Sequence, residues 1–302
     1  MDDLVWIALA GFCASLVDGA LGMGFGPTSS SILLGVGLTP TQVSSTVNNA
    51  KIATGLVAAI SHWRFRNIDH RLVLKLALPG CAGAVVGVTV LSNVDGDTIR
   101  PVMAAILMFV GVRILYRFSR PVTVNAEEFE DLDHDPDRMP DFDSRGVEVV
   151  AAAGGVTNGL VGAWGPVVTP FLMHRELPPR FAVGSVNTAE VAVAAVSAGS
   201  LLASLGRGSL DIGVLLAMLA GGVIAAPVAA WVIRHIPPRP MGVAVGALLL
   251  ATNAGQVADW AGLAAGRWLL YGAVVIAVAA AGLRPHLAGV GRPTPPAAVD
   301  PH

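Results

Sequence analysis

Residues 19–27 read GALGMGFGP, four glycines and a proline set inside an otherwise apolar run over residues 5–36. Glycine and proline cost about 1 and about 3 kcal/mol relative to alanine in a helix interior. A helix is interrupted here, and the surroundings that tolerate the break decide the fold.

Those surroundings are read from composition. The chain has 302 residues, of which 54% are hydrophobic and 13% charged, with a mean hydropathy of +0.66. A soluble domain carries about 25% charged residues. Several apolar runs reach the roughly 20 residues needed to cross a bilayer. Residues 212–233 do so without a charge, and 261–283 do so with Arg267 alone. The composition implies an all-α, polytopic membrane protein. The first residues lack a positive n-region and no A-x-A-like site follows, so no cleaved signal peptide is expected. Cys13 and Cys81 lie in apolar runs and read as small buried hydrophobes.

The break recurs. Asp18-Gly19-x-x-Gly22, Phe25-Gly26-Pro27 and Val47-Asn48-Asn49-Ala50-Lys51 are answered by Asn158-Gly159-x-x-Gly162, Trp164-Gly165-Pro166 and Val186-Asn187-Thr188-Ala189-Glu190. Pro27 to Asn48 and Pro166 to Asn187 are both 21 residues apart. Asn67-Ile-Asp69 is likewise answered by Ser209-Leu-Asp211. Three motifs in order at matched spacing mark a duplication. The expected organisation is a first membrane repeat over 1–120, an acidic cytoplasmic linker over 121–146, and a second repeat over 147–256. An extra C-terminal helix and a Pro-rich tail fill 257–302. Within the linker, Asp131-x-Asp133-x-Asp135 matches the opening of a calcium loop, but Pro136 and Phe142 stand where that loop needs glycine and glutamate. The linker reads as a solvated segment.

Residues 5–18 and 27–36 are each too short to span about 30 Å at 1.5 Å per residue. Either each glycine-broken segment is a kinked full span, or it is a re-entrant pair of half-helices. The distribution of positive charge separates the two. Re-entrant pairs put fifteen Lys/Arg inside and three (Arg100, Arg207, Arg267) outside, with Lys51 within a span; full spans give eleven against seven. The re-entrant arrangement fits better. Each half then holds three transmembrane helices, an odd number, so the halves have opposite orientations. That is the inverted-repeat plan, with discontinuous helices meeting near the midplane. Broken backbone at that depth is tolerated when it lines a cavity or is buried in protein.

The glycine-rich residues 19–27 with their echo at 158–166, the basic loop 64–69 and the two-half layout resemble the sulfite exporter TauE/SafE family of bacterial membrane proteins. The likeness covers roughly residues 5–256. It implies movement of a small sulfur-containing anion, of the sulfite, sulfonate or thiosulfate class, across a bacterial cytoplasmic (inner) membrane. The second half departs from a strict glycine pattern, with Ala163-Trp164 where the first has Gly24-Phe25.

Polar residues inside the apolar runs supply candidates for the site. Ser44, Asn48 and Lys51 fall at i, i+4 and i+7 on one helical face, and Asn187 and Glu190 at i and i+3 on its counterpart. Ionisable groups at such depth face a protein interior or water. Lys51 reads as an anion-binding group and Glu190 as a proton acceptor; a structural ion pair between them is the competing reading. Asp18 could carry a proton or cap the glycine turn. Asn48 and Asn187 offer neutral amide donors. Gly24, Gly26, Thr28 and Ser29, with Gly165 and Thr169, lie at the starts of two half-helices, where free N–H groups and the helix dipole favour an anion. Phe25 and Trp164 hold matched positions before Gly-Pro, as packing residues or gates.

The leading function is a secondary transporter, proton-coupled, for such an anion. The alternatives are a passive anion channel or a membrane-embedded partner of another complex. There is no Walker A motif, no H-E-x-x-H and no Cys/His cluster at metal spacing. No enzyme activity, catalytic residue, metal or cofactor is expected. The expected partners are the lipid bilayer and a small anionic substrate, without nucleic acid.

Overall fold

The computed structural model describes residues 2–21, 23–119, 142–235, 238–262, 271–278 and 280. Most of the expected linker, the proline-rich tail and part of the extra C-terminal segment, with Arg120, Arg138, Arg267, Arg284 and Arg292, lie outside the described residues.

All regular structure among the described residues is helical. The first half holds α1 (Asp2–Leu21), α2 (Phe25–Gly35), α3 (Pro40–Arg64), α4 (His70–Asn93) and α5 (Gly96–Ser119). The second holds α6 (Val147–Val161), α7 (Gly165–His174), α8 (Pro179–Leu205), α9 (Ile212–His235) and α10 (Pro238–Trp260). Residues 271–278 are also helical. The two expected breaks fall between α1 and α2 and between α6 and α7. One detail differs: α1 runs on to Leu21, past Asp18 where the half-helix was expected to stop. Gly19 lies within that helix, and the close approach of α9 suits a glycine there, since a Cβ on it would sit 2.8 Å from the Ala229 methyl.

Local signals explain the helix starts. Thr39 and Gln42 close a capping box on α3, the Thr39 hydroxyl accepting from the Gln42 N–H. Asp69 caps α4 by accepting from the amides of Arg71 and Leu72 at 2.9 and 3.2 Å. Asp211 does the same for α9, accepting from Gly213 and Val214 at 2.8 and 3.1 Å. The Asn67–Asp69 motif and its echo Ser209–Asp211 therefore supply a pair of matched helix caps.

Packing crosses between the halves. Helix α1 lies on α9 and α6 on α4, while α3 meets α8 and α5 meets α10. The first two pairings exchange equivalent helices, and the last two join a helix to its own counterpart. Close approach depends on small residues, as in helix association within membranes. A Cβ on Gly83 would fall 2.0 Å from the Ala152 carbonyl oxygen, one on Gly155 2.0 Å from that of Gly80, and one on Gly221 1.8 Å from that of Ala8. Backbone touches backbone at both interfaces. One hydrophobic cluster runs from Ile7 and Leu33 to Val161 and Leu249, so the core belongs to neither half alone.

Four described helices, α4, α5, α8 and most of α10, are long and apolar enough to cross a membrane. Helix α3 has the length, at 25 residues, but carries Ser44, Ser45, Thr46, Asn48 and Lys51. All five are buried in protein, so this polarity faces the interior and not lipid. The chain is a multi-pass membrane protein.

Candidate functional site

The polar face of α3 is a seam against the end of α6. The Ser44 hydroxyl donates to the Gly159 carbonyl at 2.6 Å. Asn48 Nδ2 donates to the Ser44 and Asn158 carbonyls at 2.9 and 3.3 Å. Lys51, one turn further, donates from Nζ to Asn158 Oδ1 and to the Gly162 carbonyl, both at 2.7 Å, and pairs with Glu190 of α8. An ammonium has three donors, and here all three have partners. Lys51 is only 4% exposed. Burying a charge is tolerable only when it is paired and hydrogen-bonded.

Asn158 joins this seam from the second half. Its Nδ2 donates to Asn48 Oδ1 at 2.7 Å and to Ser197 Oγ at 3.1 Å, while its Oδ1 serves Lys51. One side chain thus connects α3, α6 and α8. Sequence reading passed over Asn158 as a site residue, although it stands opposite Asp18 in the repeated motif. That correspondence was the signal.

The two breaks touch back to back. Gly162 ends α6 with a left-handed φ of 67°, and its N–H returns to the Asn158 carbonyl. A Cβ on Gly26 would fall 1.9 Å from the Gly162 carbonyl oxygen, so only glycine fits there. Ser30 of α2 donates to the Val161 carbonyl at 2.8 Å, tying the first half to the end of α6. Asp18 Oδ1 accepts from the Phe25 N–H at 3.2 Å across the first break. Thr157 Oγ1 donates to the Ala163 carbonyl at 2.7 Å across the second.

Between the turns lies a cavity of about 10 Å³, room for roughly one water. It brings together eight of the anticipated residues: Asp18, Gly24, Phe25, Gly26, Lys51, Gly165, Asn187 and Glu190. Met23, Pro27, Gly162 and Pro166 complete the wall. The other anticipated residues stand elsewhere. Asn48 is held in the seam, and Ser29 donates back to the carbonyls of Phe25 and Gly26 within its own helix. Thr28 and Thr169 are fully buried with no hydrogen-bond partner for their hydroxyls. Trp164 is fully buried, donates from Nε1 to the Val186 carbonyl at 3.1 Å, and packs against Gly80 and Gly154. Its partner in the repeat, Phe25, borders the cavity. The matched aromatics therefore hold unequal places. A tryptophan is too large for the narrow gap between turns and fills the space between α4, α6 and α8 instead.

Residues 7–256 match the family model described as "Sulfite exporter TauE/SafE". The chain is 36% identical over 276 residues to the "Probable membrane transporter protein YtnM" of Bacillus subtilis, a match covering 91% of this chain and 89% of that one. No solved structure gives a significant match.

Proposed function

The chain belongs to the sulfite exporter TauE/SafE family, and we propose that this membrane transporter carries a small sulfur-containing oxyanion together with a proton. The anion is of the sulfite, sulfonate or thiosulfate class, the membrane is the bacterial cytoplasmic one, and the path runs between the two glycine turns. The observation that carries the reading is the charge inventory of the cavity: one ammonium, Lys51, against two carboxylates, Asp18 and Glu190.

With both carboxylates ionised the cavity holds a net charge of −1, and an entering anion is repelled. Protonating one makes the cavity neutral; protonating both leaves Lys51 as a free positive charge. Anion entry therefore requires proton uptake. Lys51 cannot stand alone meanwhile, since removing one partner of a buried pair costs about 3–5 kcal/mol. It exchanges Glu190 for the substrate, and Glu190 leaves as the neutral acid. Asp18 contributes through the backbone: once protonated it holds the Phe25 amide more weakly, and an anion at the first turn of α2 can compete for that donor. The one-water volume of the cavity corresponds to the shut arrangement, with the Lys51–Glu190 pair as its closure.

Sulfite counterflow in proteoliposomes, with and without a pH gradient, tests this. Saturable exchange accelerated by an inward proton gradient is expected. Flux that never saturates and ignores the gradient would identify a passive channel and overturn the proposal.

A further inference from the structure

A second, larger cavity of about 460 Å³ adjoins the first, sharing Met23 and Pro166 with it. It lies between the last turns of α5 and helix α7, and its charged or titratable lining is Arg113, Tyr116, Arg117 and His174. No carboxylate lines it among the described residues. The half-buried Arg117 guanidinium has only soft company. It donates to the thioether sulfurs of Met23 at 3.5 Å and Met173 at 3.1 Å, and it lies 5.7 Å from the centroid of the Phe118 ring. Thioether sulfur is a weak acceptor. A guanidinium ordinarily meets carboxylate or another oxyanion through its planar fork of donors. No ion pair forms at either arginine among the described residues.

We propose that Arg117, supported by Arg113, is an antechamber site for an oxyanion, one step outside the central cavity. Resting on the transport reading above, it assigns that anion's approach: the substrate is captured by two guanidinium groups before it meets Lys51. Met23 stands at the boundary, lining both cavities while accepting from Arg117. An anion that takes Arg117 away from the Met23 sulfur therefore acts on a wall of the inner cavity as well. The same chemistry would suit the phosphate of an anionic lipid, so the test separates the two sources.

The test reads the local field and needs no transport. In full-length protein with Cys13 and Cys81 replaced by serine, His174→Cys places a thiol in the cavity wall. The protein is held in phosphatidylcholine nanodiscs, and reaction rates are compared for a sulfonate-bearing and a trimethylammonium-bearing methanethiosulfonate. The paired arginines should favour the sulfonate reagent, and Arg113→Gln with Arg117→Gln should cut the rate ratio by about tenfold. Arg117→Lys should retain most of the preference, which guards against a misfolded variant. The same ratio at Thr39→Cys, at the start of α3, should not respond to the arginines. An unchanged ratio at position 174 overturns the site. Loss of the preference on adding phosphatidylglycerol overturns the substrate assignment and gives the site to a lipid headgroup. In proteoliposomes, Arg117→Gln should raise the half-saturating sulfite concentration about tenfold from the side bearing the α5 C-terminus, leaving the opposite side unchanged. No labelling preference with both arginines in place, alongside intact transport, removes the antechamber alone; an arginine-dependent preference without transport removes the carrier reading alone.

Discussion

The side-chain amide of Asn158 donates to Oδ1 of Asn48 at 2.7 Å, across 110 positions of sequence. Both residues are fully buried. The contact ties the broken segment of the second half to the long helix of the first, and it occupies a side chain that sequence reading had offered to the substrate. Asn48 and Asn187 sit at matched repeat positions, yet only Asn187 borders the cavity. The duplicated motif has divided its labour between a fastener and a wall.

Removing Lys51 should abolish exchange. Lys51→Ala leaves Glu190, Asn158 and Gly162 without their shared partner, so a stability loss of about 3–5 kcal/mol is expected alongside the loss of flux. Glu190→Gln should keep sulfite exchange but lose its response to pH. The double variant should recover stability without transport. Thermal unfolding and counterflow on the three proteins check this, and wild-type flux in the double variant would reduce the pair to a structural role.

Gly26→Ala should be far more harmful than its one methyl group suggests. The new Cβ would meet the Gly162 carbonyl oxygen at 1.9 Å, and backbone cannot step aside as a flexible side chain can. Overpacking of this kind costs about 1–3 kcal/mol, and the parted turns should lose transport as well. Gly35→Ala serves as the control, because nothing lies within 4 Å of its Cβ. Equal melting temperatures and equal flux for the two variants would contradict the contact.

Asn158→Ala should cost more stability than Asn48→Ala. It removes one of the three acceptors of the Lys51 ammonium as well as the donor to the Asn48 amide oxygen, and each buried group left unsatisfied costs about 1–3 kcal/mol. A double-mutant cycle between the two asparagines should give a coupling of about 1 kcal/mol or more. Additive effects would mean that the 2.7 Å contact contributes nothing to holding the halves together.

The inverted-repeat expectation makes a topological prediction. With Cys13 and Cys81 replaced, cysteines at Thr39 and Pro179 should react with an impermeant reagent from opposite faces of the membrane, position 39 outside and 179 inside. Both positions are exposed and begin matched helices, α3 and α8. Labelling of both from one face would make the repeats parallel and the re-entrant arrangement wrong.

Sequence alone determined the membrane class, the two breaks and the matched spacing, because each is a local property of composition or chain chemistry. Clustered glycines closed by Gly-Pro end a helix where an isolated Pro79 does not end α4, and an aspartate before a helix caps it, as Asp69 and Asp211 do. It offered a Lys51–Glu190 ion pair only as the competing reading, since opposite charges at matched repeat positions have few ways to be satisfied, and folding brings the two together. Tertiary structure alone decided which polar groups face the cavity. Asn48 and Asn187 are the same residue type at the same spacing, and only the crossing of α3 over the end of α6 turns one of them into the seam. Phe25 and Trp164 diverge for the same reason, one bordering the gap between the turns and the other filling the space beside it. Arg117 carried no sequence signal beyond its positive charge. Its weight comes from the sulfur atoms of Met23 and Met173, 94 and 56 residues away, which only folding brings to it.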